Sequence, residues 1–211
     1  MILFVKNEKE YGDTVSLLGD THNKIKNREL AIFFYSEKLE YLRLNNRSKE
    51  LQYVQLLKDI GTLYRYKGDF KKSLENLTES LEIVELIEGT NSIEYSKLLL
   101  TISIVYKKAG EYNNAIAYNK QSNKLREDLF GKKSVEYLKS LTSLSQIYIE
   151  VGEYKKAFNI LENVFFGFLI EKSHLGRISG NHVSSIAIRE ASSGNGIHLW
   201  HCSDMLIEKN E

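Results

Sequence analysis

The stretch "YKGDFKKS" at Tyr66–Ser73 is written again as "KAGEYNNA" at Lys108–Ala115 and as "EVGEYKKA" at Glu150–Ala157. The glycines of the three copies, Gly68, Gly110 and Gly152, stand 42 residues apart. The stride holds outside the phrase. Tyr64, Tyr106 and Tyr148 align four residues before each glycine, and Ile60, Ile102 and Leu144 four before those. Leu57, Leu99 and Leu141 align three residues earlier again, and a small residue, Ser73, Ala115 or Ala157, falls five after each glycine. A weaker first copy lies one stride upstream, where Leu18, Gly19 and Ala31 match Ile60, Gly61 and Ser73. In that copy His22 replaces the tyrosine and Lys26 the turn glycine.

Leu57, Ile60, Tyr64 and Leu99, Ile102, Tyr106 follow the i, i+3, i+7 spacing of one helical stripe. A Gly-Asp-Phe or Gly-Glu-Tyr turn follows, then a second stripe, as in Phe70, Leu74, Leu77 and Leu81. The glycine suits a helix stop that needs positive φ, and the small residue lets the returning helix approach. Each copy therefore predicts an antiparallel helix pair whose apolar faces need neighbouring pairs to cover them. The pairs are expected near 9–45, 51–87, 93–129 and 135–169. The repeated aromatics, Tyr64, Tyr106, Tyr148, Phe70, Tyr112 and Tyr154, read as packing groups with hydroxyls reaching the surface.

Composition agrees. The 211 residues are 42% apolar and 27% charged, with no proline, so helix should dominate. A formal net charge of +1 argues against a generally basic nucleic-acid binder. Cys202 is the only cysteine, which rules out an internal disulfide and fits a reducing, cytoplasmic setting. The apolar start is too short for a signal-peptide core, and no apolar run approaches a membrane span.

A helix pair with a Gly-[Asp/Glu]-[Tyr/Phe] turn and a small residue after it resembles a tetratricopeptide repeat. The 42-residue period and "LREDLFGKKSVEYLKSLTSLSQIYIEVGEYKKAFNILE" resemble the repeats of kinesin light chains and related proteins. "LFG" at Leu129–Gly131 sits where those repeats carry Leu-Gly between pairs. The resemblance covers residues 9–169 and implies an all-α fold, a right-handed α-solenoid of about four antiparallel pairs. The added residues over the common 34-residue form would lengthen each helix by about one turn, roughly 6 Å.

In that family the first helix of each pair lines a concave wall that holds peptides or partner helices. Mapped here, the wall would carry Gln55, Lys58, Thr62 and Arg65, then Lys97, Leu100, Ile104, Lys107 and Lys108, then Lys139, Thr142, Gln146 and Ile149. The first copy adds Asp13, Ser16, Asp20 and Asn23. The peptide-binding candidates are Lys58, Thr62, Arg65, Lys97, Ile104, Lys107, Lys139 and Gln146. Lysines with apolar residues between them suit an acidic protein or peptide segment. Where kinesin light chains carry paired asparagines, this chain has Lys58–Asp59, Leu100–Thr101 and Thr142–Ser143. The reading is a non-catalytic interaction module with no cofactor and with neither a nucleic acid nor a membrane as partner. A last pair exposing Leu161, Val164, Phe165 and Phe168 would also allow self-association.

Residues 170–211 change character. Four of five histidines, the only Trp and two Ser/Gly clusters fall here, and the expectation is a divergent or flexible end. "HVSSIAI" and "GIHLWHC" alternate enough for short strands. His198, His201, Cys202 and Asp204 are types that bind zinc, but they lack the two-pair spacing of zinc modules. "GIHLWHCSD" faintly resembles the histidine strand of caspase-like peptidases, whose nucleophile is a cysteine on a later strand; Cys202 is too close to His198 to serve. The alternative function is therefore the regulatory repeat region of a larger or truncated enzyme of that kind. "FGKKS" lacks the earlier glycine of a phosphate loop and links two helices.

Overall fold

The structure, a computed structural model, describes residues 8–172, 187–190 and 197–200. Eight helices occupy the first of these segments. They are α1 (Glu8–Lys24), α2 (Arg28–Leu44), α3 (Leu51–Lys67), α4 (Phe70–Glu88), α5 (Ile93–Lys108), α6 (Tyr112–Phe130), α7 (Val135–Glu150) and α8 (Tyr154–Lys172). Each packs on the next in the chain, giving four antiparallel pairs stacked into an all-α solenoid.

The repeated glycines close the first helix of each later pair. Gly68, Gly110 and Gly152 have φ of 81°, 79° and 83°. The following amide reaches back to the tyrosine carbonyl, Asp69 to Tyr64 at 3.0 Å, Glu111 to Tyr106 at 2.9 Å and Glu153 to Tyr148 at 2.8 Å. Lys26, the aligned residue of the first copy, takes the same left-handed conformation at φ 61° despite its side chain, and Asn27 N–H reaches His22 O at 2.9 Å. The turn geometry thus survives where the glycine does not. Asn27 and Asp69 then cap α2 and α4 by accepting from Leu30 and Lys72 amides.

Small residues set the distance within a pair. Ala31, Ser73, Ala115 and Ala157 are all buried. Opposite them, a Cβ on Gly61 would lie 2.8 Å from Leu77 Cγ and 3.1 Å from Ser73 O, so only glycine fits there. Ser73 Oγ donates to Gly61 O at 2.7 Å, and in the next copy Ser103 Oγ donates to Ala115 O at 2.8 Å. A second set of serines ties α4 and α6 to their own partners: Ser80 Oγ donates to Val54 O at 3.2 Å and Ser122 Oγ to Ser96 O at 2.8 Å.

The core is unevenly distributed. One buried cluster joins α2 to α3 through Tyr35, Leu39 and Leu42 against Leu56, Leu57, Ile60 and Leu63. Another joins α4 to α5 through Leu77 and Val84 against Leu98, Ile102 and Val105. The last pair has a smaller one, Leu144, Tyr148 and Ala157, with Ile116 and Ile160 packed against it.

Beyond the helices, β1 (Ala187–Glu190) pairs antiparallel with β2 (Ile197–Trp200), Ala187 opposite Trp200. The strand expected within "GIHLWHC" is present; that expected within "HVSSIAI" starts later, at Ala187, and runs on to Glu190. Residues 182–186, and with them His201, Cys202 and Asp204, lie outside the described residues. No described helix is long and apolar enough to cross a membrane.

Candidate partner-binding wall

Among the described helices, α3 touches α5 and α5 touches α7, whereas no two even-numbered helices meet. The stack therefore bends towards its odd-numbered helices between α3 and α7, and those form the inner wall. Polar side chains bridge them directly. Lys58 Nζ on α3 donates to Glu94 Oε1 on α5 at 2.6 Å, with both side chains only 20% exposed. Lys97 Nζ takes the other oxygen of the same carboxylate at 3.0 Å. Burial would raise the Glu94 carboxyl, but its hydrogen bonds from Lys58 and Lys97 outweigh this and hold it below the ordinary value.

The next junction uses the same device with different groups. Lys107 on α5, whose side chain is 9% exposed, donates to Gln146 Oε1 on α7 at 3.2 Å and lies 3.4 Å from Glu150 Oε1. Thr62 and Ile104 are half-buried. The Arg65 guanidinium stacks 4.3 Å from the centre of the exposed Tyr66 ring. Lys139 is exposed and has no ion pair among the described residues.

Of the eight residues expected to meet a partner, the fold thus brings Lys58 and Lys97 together on one carboxylate and Lys107 together with Gln146. The others lie separately along the wall. Towards the first pair the wall turns acidic. Asp20 accepts from the Tyr35 hydroxyl at 2.8 Å and Asp59 from Gln55 at 2.9 Å. Burial pushes the Asp59 carboxyl up, Asp20 adding to this against the Gln55 hydrogen bond and Lys58.

Glu94 and Glu150 were missed by reading charges one helix at a time. Their signal was separation: Lys58 and Glu94 are 36 residues apart, and Lys107 and Glu150 are 43, each near one stride. Such spacings join matching faces of successive inner helices.

The sequence of residues 52–128 matches the tetratricopeptide repeat. Over that stretch the chain carries tetratricopeptide repeats. Solved structures match the array more widely. BtubC (BKLC) from P. vanneervenii superposes with a TM-score of 0.73 at 13% identity, covering 90% of this chain and 74% of that one. A putative kinesin light chain with TPR-like repeats from Podosopora anserina gives 0.68 at 14%, covering 77% of each chain. A Rap protein complexed with Competence and Sporulation Factor gives 0.62 at 18%, covering 77% of this chain and 44% of that one. At these identities the likeness is one of fold, a tetratricopeptide array of the kinesin light chain type. No curated protein sequence matches the chain.

Proposed function

We propose that this tetratricopeptide array is a non-catalytic interaction module that holds a protein or peptide segment along the wall of α1, α3, α5 and α7. The observation that supports the reading is the bend itself, which brings α3 to α5 and α5 to α7 on one side of the stack. The Rap likeness supports it by analogy of fold, since that protein holds a factor. The contact residues are Lys58, Thr62, Arg65, Lys97, Ile104, Lys107, Lys139 and Gln146.

An acidic segment fits the α5–α7 half of the wall, where Lys139 has no ion pair among the described residues. There the segment competes with Glu94 for Lys97 and with Glu150 for Lys107. Such exchange of one carboxylate for another gains little net charge attraction, so affinity is about micromolar, near −8 kcal/mol. The test is a pull-down with wild type and with a Lys58→Glu, Lys97→Glu, Lys139→Glu variant, followed by titration of recovered acidic segments. Wild type retains partners that the variant loses. Equal recovery by both removes the basic wall from the account.

A second reading has one observation in its favour: His198 lies in strand β2, as the resemblance to a caspase-like histidine strand requires. On that reading the array regulates a peptidase domain. Finding a cysteine-bearing domain encoded in continuation of this chain, active only when the array is occupied, would establish it.

A further inference from the structure

The junction between the third and fourth pairs is built from different chemistry than the two before it. On α4, Leu77, Leu81 and Val84 belong to the apolar cluster with Leu98, Ile102 and Val105 of α5. One stride later the same three positions of α6 are Asn119, Asn123 and Arg126, all buried. On α7 the position of Leu98 is taken by Ser140, also buried.

This polar set is only half satisfied. Asn119 Nδ2 donates to Ser143 Oγ at 3.0 Å and Arg126 Nη1 to Glu136 O at 2.9 Å. Asn119 Oδ1, Asn123 Oδ1 and Arg126 Nε are buried without a partner. No carboxylate pairs with Arg126 among the described residues, and burial lowers its pKa against the pull of Glu136. A buried polar group without a partner costs about 1–3 kcal/mol, and a cation more. That penalty vanishes when water enters, so separation of this junction costs far less than separation of an apolar one. The inner-wall tie across the same junction, Lys107 to Gln146 and Glu150, is polar as well and exchanges readily for water. Meanwhile Leu144, Tyr148, Ala157 and Ile160 give α7 and α8 a core that joins them to each other, on which α6 sets the partly buried Ile116.

We propose that α7 and α8 undock from α6 as a unit, opening and closing the groove at its third junction while α1 to α6 remain one body. The fourth pair then acts as a gate on the wall. This motion rests on the seam and stands whether or not the wall binds the proposed segment.

Hydrogen–deuterium exchange on the full chain tests it. Amides of α7 should exchange at least tenfold faster than those of α3 and α5. They should also outpace α2, which belongs to the other terminal pair but meets α3 through an apolar seam. Equal rates in α7 and α2 would reduce the effect to fraying of chain ends and overturn the proposal, as would an α7 as slow as α5. The variant Asn119→Leu, Asn123→Leu, Arg126→Val copies the α4 residues and should slow α7 to the rate of α5 while leaving α2 unchanged. The single change Asn119→Leu, which keeps the rest of the seam, should slow α7 several-fold; fast exchange surviving it unaltered counts equally against the seam.

Discussion

The second and third pairs share a backbone plan yet differ in what they present to the pair that follows. In both, a serine of the returning helix reaches a carbonyl of its partner, Ser80 to Val54 and Ser122 to Ser96. In both, a small residue lets the two helices close, Ser73 and Ala115. The outward faces diverge, Leu77 and Val84 in one and Asn119 and Arg126 in the other, each fully or nearly buried. The stride therefore dictates how two helices make a pair, and leaves open how tightly one pair grips the next. Stability in such arrays is close to a sum of unit and interface contributions, so the difference acts locally.

Truncation at one matched position should separate the two junctions most sharply. Leu77 is 0% exposed, and Leu77→Ala should cost about 2–5 kcal/mol through lost burial and a cavity. Asn119, also 0% exposed, should cost about 1 kcal/mol or less as Asn119→Ala, because a lost hydrogen bond to Ser143 is offset by removal of an unmatched acceptor. Urea denaturation of both variants checks this; equal losses would erase the distinction between the seams.

A middle-sized effect concerns the inner wall. Glu94→Gln weakens the tie between α3 and α5 by about 1 kcal/mol after solvent screening of its partly exposed lysines. The folded-state pKa of Glu94 lies below its ordinary 4.5. Its contribution is thus complete above about pH 4.5 and is lost as pH falls through the lowered value. The Gln variant should show a shallower loss of stability than wild type over that acid range. Parallel curves would mean that the carboxylate adds nothing to the junction.

The smallest effect returns to the turns. Lys26 holds φ 61° where later copies have glycine. Lys26→Gly should raise the melting temperature, a gain of about 0.5–1 kcal/mol from relief of the left-handed strain. Gly68→Ala should cost a similar amount. If both changes are neutral, the turn geometry is dictated by the helices that flank it.

Most of the fold was legible because the residues that build a pair are constrained by close contact. Glycines with positive φ, small residues in the seam and an i, i+3, i+7 stripe each leave a mark at a fixed stride. The bent wall and its lysines followed from the repeat class. The pairing of those lysines did not, since Lys58 and Glu94 lie in different copies and only stacking brings them together. The polar seam was legible only by register: Asn119, Asn123 and Arg126 stand one stride after Leu77, Leu81 and Val84, but their residue types interrupt the apolar stripe that marks a buried face.

The first pair carries its own exception. Lys38 occupies the position of Ser80 and Ser122, and it is 2% exposed. Its ammonium lies 5.1 Å from the centre of the Tyr41 ring and 4.0 Å from Asp13. The room comes from Gly12, where a Cβ would stand 2.8 Å from Lys38 Nζ. One stride later that glycine is Val54. A returning helix with the lysine is thus matched to a first helix with the glycine, since a Cβ there would push the ammonium and the Tyr41 ring aside. For all their common metre, the helices are not freely interchangeable: one that set Lys38 against the valine of the next copy would force its ammonium out of place.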